Sequence, residues 1–91
     1  MKFRKQYEYA SERDVFDTLP ADAQEAIRRI VRAEQRISKA ARSMGQIMDT
    51  TRDRAQVRHF YGQLQDAESA LDGAMEDFEA FVVPLLPEGM R

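Results

Sequence analysis

The fold is decided by two stretches, residues 23–47, AQEAIRRIVRAEQRISKAARSMGQI, and residues 57–85, VRHFYGQLQDAESALDGAMEDFEAFVVPL. In both, apolar residues recur at alternating steps of three and four, the a/d pattern of a coiled-coil seam. The first series is Ala23, Ala26, Ile30, Ala33, Ile37, Ala40, Met44 and Ile47, and the second is Val57, Phe60, Leu64, Ala67, Leu71, Ala74, Phe78, Phe81 and Leu85. The pattern predicts two long helices that each bury one face.

The segment between the two series favours a turn over one unbroken helix. A continuous helix would place Thr51 and Arg54 at the next two seam positions. Thr50 with Asp53 has the pattern of a capping box that opens a new helix, and Asp49 is an alternative cap. Two helices joined by so short a turn pair antiparallel. Parallel association of two unbroken helices is the alternative.

An antiparallel register in which facing residue numbers add to about 104 places large side chains opposite alanines. The pairs are Ala23 with Phe81, Ala26 with Phe78, Ile30 with Ala74, Ala33 with Leu71, Ile37 with Ala67, and Ala40 with Leu64. This alternation of size lets two helices interdigitate without voids. The register also predicts two surface ion pairs, Arg29 with Asp77 and Arg32 with Asp72. We therefore predict an all-α protein built on a long antiparallel helical hairpin.

The chain of 91 residues fits a single helical domain. We divide it into an arm, a short helix, two long helices and a tail, at residues 1–10, 11–19, 20–48, 51–83 and 84–91. Ser11 and Asp14 form a capping-box pattern that opens the short helix, and Pro20 separates this helix from the next one. The sequence leaves the structure of the arm open. The apolar tail is expected to fold over the open end of the hairpin, near Phe16 and Leu19.

The composition argues against several classes of function. The chain has no cysteine and one histidine, His59, so thiolate chemistry and histidine-rich metal sites are not expected. Glu34 is followed by Ile37, and Glu68 by Leu71, where a carboxylate metal site in a bundle needs Glu-x-x-His. There is no phosphate-binding glycine loop and no spacing typical of a nucleophile–histidine–acid site. We expect no enzyme activity, cofactor or metal.

The ends of the chain and its longest apolar runs bear on location. No run approaches the roughly 20 apolar residues of a membrane span. The first residues, MKFRKQY, lack the apolar core of a signal peptide. The sequence therefore predicts a soluble, cytoplasmic protein without membrane contact.

Beside the seam runs a second apolar row, here called the apolar flank. It consists of Ile27, Val31, Ala41 and Met48 in the first long helix and Tyr61, Met75 and Val82 in the second, interrupted by Glu34 and Glu68. A two-helix hairpin cannot bury this row, so the short helix, a second copy or a larger protein should cover it. The two glutamates either enclose a cation, from a partner or from Arg4, Lys5 or Arg13, or both point to water. The flank predicts a protein–protein interaction module, with a homodimeric four-helix arrangement as the first expectation.

A basic stretch supports a different interpretation. It comprises Arg28, Arg29, Arg32, Arg36, Lys39 and Arg42, joined near the turn by Arg52, Arg54 and Arg58. As a functional surface, these cations would follow the phosphates of a nucleic acid. As a structural feature, they form a solvated face paired with acids of the second long helix, an interpretation we prefer because those acids dampen the field. A third alternative is a monomeric inhibitor or adaptor of a larger complex that uses the acidic surface at residues 72–79.

Overall fold

The computed structural model of the protein describes residues 2–50 and 54–91, and the side chains of residues 3–46 and 54–91. Within these ranges the chain is helical and has no strand. The helices are α1 (Lys2–Ser11), α2 (Arg13–Phe16), α3 (Ala21–Thr50) and α4 (Arg54–Phe81), followed by 3-10 turns at Val83–Leu85 and Glu88–Met90. The predicted all-α class is confirmed.

The two long helices, α3 and α4, pack against each other as a hairpin. Their common core contains Ala26 and Ile30 from α3 with Ala74 and Phe78 from α4. These residues belong to pairs that the register predicts to face each other. The result is a rod with extents of 51 × 21 × 17 Å. The long helical hairpin is therefore confirmed, whereas the caps predicted at residues 49, 50 and 53 lie outside the described side chains.

One of the two predicted ion pairs between the long helices forms. Arg29 of α3 donates a charge-assisted hydrogen bond to the carboxylate of Asp77 in α4. Arg32 instead bonds to Glu25, two turns earlier on its own helix, and not to Asp72. A carboxylate on the same helix face can reach the guanidinium without spanning the hairpin. These side chains are substantially exposed, so each pair contributes about 0–1 kcal/mol.

The seam at the end of α4 differs from the prediction. Phe81 and Leu85, which the heptad pattern places in the seam, are 43% and 51% exposed, whereas Val82 and Leu86 are 0% and 2% exposed. The buried row therefore continues from Phe78 in steps of four. The heptad fails here because α4 ends at Phe81 and a 3-10 turn that contains Pro84 follows, so Val82 and Leu86 are placed by this turn and not by the period of an α-helix.

The amino-terminal arm is a helix that covers the open end of the hairpin. Ala10 of α1 lies in the core, and Phe3 and Tyr7 pack beside it. The ring centroids of Phe3 and Tyr7 lie 5.3 and 6.4 Å from that of Phe78. The spacing of these three α1 residues, four and then three, is an amphipathic helical signal that the sequence analysis did not use.

The predicted short helix over residues 11–19 is largely replaced by other structure. Ser11 is the last residue of α1, and α2 spans only Arg13–Phe16. The residue at the N-cap of α2 is Glu12, which makes no side-chain capping bond. The predicted capping box is therefore wrong, because docking of α1 through Ala10 extends the first helix across the position that should have capped the second.

The carboxyl-terminal tail folds over the open end, as the sequence predicts. Leu86 is buried in the main core, and Phe16 and Leu19 pack against the same core. Gln6 of α1 donates from Nε2 to the carbonyl of Met90 at 2.8 Å. The tail and α1 are thus joined to each other as well as to the hairpin.

Candidate interaction surfaces

The apolar flank is covered at one end of the rod only. Ile27 and Val82, predicted to contact a partner, are 3% and 0% exposed and belong to the chain's own core. This corrects the prediction for these two residues, since α1 and the tail occupy the place of the partner. Val31 and Tyr61 are 38% and 51% exposed and remain free to make an intermolecular contact.

The other apolar members of the flank fall into three classes. Ala41 is exposed, and Met75 is half-buried. Met75 lines the same cleft as Phe3 of α1. Met48 lies outside the described side chains. The uncovered part of the flank is therefore centred on Ala41 and Tyr61, beyond the reach of α1.

The two glutamates of the flank do not enclose any of the described cations. Glu34 is half-buried and Glu68 is exposed. Among the described residues, neither carboxylate forms an ion pair, with Arg4, Lys5, Arg13 or any other cation. The alternative in which a basic side chain of the amino-terminal region inserts between them therefore does not apply.

Tyr7 of α1 lies near Glu34 and marks the point that α1 reaches along α3. Burial of the ring raises the pKa of the Tyr7 phenol, and the Glu34 carboxylate raises it further. A hydrogen bond with Ser11 and the charge of Arg4 act in the opposite direction. The neutral phenol is therefore the form that the folded protein favours at this position.

Residues 36–65 form the turn end of the rod, and residues 2–35 together with residues 66–91 form its open end. At the open end the seam residues Ile30 and Phe78 are 0% and 1% exposed and Leu71 is half-buried, whereas Phe81 and Leu85, at the end of the seam, are exposed. At the turn end Ala40 is buried, and every large seam residue whose side chain is described is only half-buried; these residues are Ile37, Met44, Val57, Phe60 and Leu64. Two helices enclose only a narrow strip, so large side chains stay partly open where no third helix covers them.

Charged groups divide between the same two ends. Residues 36–65 hold six Lys or Arg and two Asp, a net charge of +4, and residues 66–91 hold one Arg and seven Asp or Glu, a net charge of −6. Residues 2–35 hold seven of each sign and are neutral. The turn end is therefore basic, and the open end is acidic.

The basic stretch is paired at the open end and unpaired at the turn end. Arg28, Arg29 and Arg32 each form an ion pair with Glu25 or Asp77. Within the described part of the chain, five further cations form none; they are Arg36, Lys39, Arg42, Arg54 and Arg58. Arg52 lies outside the described residues. The expectation of a face neutralised by acids of the second long helix thus fits Arg29 alone, because Arg28 and Arg32 pair with Glu25 of their own helix.

Each end of the rod has a cleft in which charged and apolar side chains meet. At the turn end, a cleft of about 410 Å³ lies between α3 and α4 and is lined by Arg36, Lys39, Ala40, Ser43, Phe60 and Gln63. At the open end, a cleft of about 570 Å³ lies between α1, α4 and the tail. Three carboxylates line it, Asp72, Glu76 and Glu79, beside Phe3, Met75 and Phe78. In both clefts apolar side chains lie beside charged ones. The charges are basic at the turn end and mainly acidic at the open end.

A third, more apolar groove lies on the other side of α1. Its lining includes Tyr7, Phe16, Ile27 and Val31, and its volume is about 430 Å³. The guanidinium carbon of Arg28 lies 5.4 Å from the centroid of the Phe16 ring. This cation–π contact engages an arginine that is already ion-paired, which leaves little free charge around the groove.

The described part of the chain contains His59 and most of the acidic side chains. No group of three or more His, Asp or Glu side chains there is arranged to hold a metal ion. His59 lies on the outer side of α4 and contacts Gln63, with 3.3 Å between their Nε2 atoms. None of the described helices has the length and apolar character needed to cross a membrane.

No protein-family model matches the chain, and no curated protein or solved structure is detectably similar to it.

Proposed function

We propose that this protein is a non-enzymatic protein–protein interaction module whose first partner is a second copy of itself. The observation that carries the proposal is the seam at the turn end, where Phe60 and Leu64 are large, apolar and only half-buried. The adjoining flank residue Tyr61 is 51% exposed. Removing such apolar surface from water is favourable by roughly 25 cal/mol per Å². A second chain that covers the turn end would do there what α1 does at the open end.

The proposal predicts that Ala41→Glu combined with Tyr61→Glu abolishes self-association while leaving the hairpin folded. Both side chains are exposed on the uncovered part of the flank, so the change adds charge to the interface without touching the core. Light scattering over a wide concentration range should give the mass of two chains for the natural sequence and of one chain for the variant. The dissociation constant should rise at least about tenfold, which corresponds to 1.4 kcal/mol.

Two controls make this result specific. Ser69→Glu adds a charge of the same sign to an exposed position on the outer side of α4, and it should leave the mass unchanged. Circular dichroism should show equal helix content in all forms. A variant that still has the mass of two chains, or a natural protein with the mass of one chain at every concentration, would contradict the proposal of self-association.

Nucleic-acid binding at the turn end is a second candidate, favoured by the five cations without an ion pair. Arg54→Ala with Arg58→Ala should weaken retardation of DNA or RNA at low salt by about tenfold, and affinity should fall steeply as salt rises. Arg28→Ala with Arg32→Ala is the matched control, because these two arginines are already paired with Glu25. Absence of retardation at low salt would remove this candidate.

A further inference from the structure

We propose that the second copy lies antiparallel along the first, with the basic turn end of each chain against the acidic open end of the other. This arrangement rests on the proposed self-association and specifies the surfaces that meet. Each chain would supply the charge and the apolar contacts that the facing half of its partner lacks.

The acidic surface is built around the cleft beside α1. Asp72, Glu76 and Glu79 line this cleft, and none of them forms an ion pair with a described residue. Only one described cation, Arg91, lines it with them. Phe81, which follows Glu79 by two residues, is 43% exposed. The open end therefore offers unpaired carboxylates next to apolar surface.

The basic surface has the complementary composition. Arg36 and Lys39 line the turn-end cleft together with the half-buried ring of Phe60. Arg54 and Arg58 continue the charge along α4, and Tyr61 is exposed near them. Unpaired cations thus surround apolar side chains that two helices alone cannot bury. A partner for this surface needs carboxylates around apolar side chains. The open end has this composition.

The symmetry of the arrangement follows from the separation of charge along the rod. A two-fold axis near the middle of the rod makes the two contacts identical, so the assembly closes at two chains. Pairing turn end with turn end would bring together two regions of net charge +4 each, which the Coulomb repulsion of like charges opposes. Only the antiparallel arrangement places both regions of each chain against the opposite sign.

A nucleic acid is a less complete occupant of the same surface. Phosphates would satisfy the cations of the turn end, but they would leave Phe60 and Leu64 half-buried. They would also be repelled by the net charge of −6 on residues 66–91. The observations on both ends of the rod therefore favour a second copy over a polyanion.

The test exchanges charges between the two ends. One double variant carries Arg54→Glu and Arg58→Glu at the turn end, and the other carries Glu76→Lys and Glu79→Lys at the open end. Every one of these side chains is exposed, so both variants should fold, as circular dichroism can verify. Each variant alone faces like charges at both contacts and should have the mass of one chain. An equimolar mixture should regain the mass of two chains, because both contacts of the mixed dimer join opposite charges.

Two further measurements complete the experiment. The chain that carries all four changes should form a dimer with itself, because the two substituted groups that meet at each contact are again opposite in sign. The dimer of the natural sequence should weaken by at least about tenfold between low and high salt, as expected for exposed charges. Glu12→Lys with Asp14→Lys changes the net charge by the same amount as the open-end variant, but on exposed residues around α2, and should leave the dimer unchanged.

The outcomes separate this inference from the function on which it rests. A natural protein with the mass of one chain at every concentration would overturn both. A dimer that resists salt and both double variants would overturn the antiparallel charge pairing and leave self-association standing. A mixture that forms species larger than two chains would overturn the closed arrangement in favour of an open chain of contacts. Loss of nucleic-acid binding in the turn-end variant, with its dimer intact, would assign the cations to phosphates and overturn the inference.

Discussion

Phe78→Ala should lower the free energy of unfolding by about 3–5 kcal/mol, the range expected when a buried phenylalanine is truncated. Phe78 is 1% exposed and is the side chain on which α1 and the hairpin converge. Its ring lies within aromatic contact of both Phe3 and Tyr7. Truncation would therefore leave a cavity shared by three helices. Urea unfolding followed by circular dichroism measures the loss.

The matched control is Phe81→Ala, the same substitution one turn later on α4. Phe81 is 43% exposed, so its truncation should change the stability of the isolated chain by less than about 1 kcal/mol. The comparison must be made at a concentration or salt at which both proteins have the mass of one chain, because Phe81 adjoins the proposed interface. Equal losses for the two variants would mean that the seam follows the heptad through Phe81 after all.

The second large effect concerns the docking of α1. Ala10→Glu places a carboxylate at a position that is 0% exposed, with no cation of the core to receive it. Burial of an unpaired charge costs several kcal/mol, so α1 should detach from the hairpin and leave the new carboxylate in water. Detachment would expose Ile27 and Val82. We expect a loss of at least about 2 kcal/mol in unfolding free energy, increased binding of a hydrophobic dye, and faster amide hydrogen exchange in α1.

Ala80→Glu is the control for this substitution. Ala80 is exposed on α4, so a carboxylate there should change stability by less than about 0.5 kcal/mol. If Ala10→Glu were as stable as Ala80→Glu and bound no more dye, α1 would not be part of the core. Rapid exchange of the α1 amides in the natural protein would lead to the same conclusion.

The long hairpin was predictable because its signal repeats along the chain. The alternating steps of three and four place many apolar residues on one face of each helix, so many residues support the same prediction. The facing of large side chains with alanine then restricted the register closely enough to predict the ion pair of Arg29 with Asp77. The same register failed for Arg32, which pairs with Glu25 and not with Asp72. Ion pairs of an exposed arginine with different nearby carboxylates differ little in free energy, so the register alone does not determine the partner.

The candidate surfaces were less accessible to prediction than the fold. Ile27 and Val31 lie on the same side of one helix and look equivalent in the sequence, yet they are 3% and 38% exposed. The difference depends on how far α1 and the tail extend over them. Likewise, the basic residues of α3 form one continuous series in the sequence. Arg28 and Arg32 pair with Glu25 of the same helix, and Arg29 pairs with Asp77 across the hairpin, so the pairing depends on carboxylates that lie near only one part of that series.

By itself the sequence determined the helical class, the two long helices, their antiparallel pairing and the folding of the tail over the open end, because periodic apolar spacing and prolines act locally along the chain. Tertiary structure alone decided that α1 completes the core, that Val82 is buried in place of Phe81, and that the described cations of the turn end form no ion pair. Burial and charge pairing depend on which elements meet in space. Contacts between residues as distant as Gln6 and Met90 exist only in the folded chain.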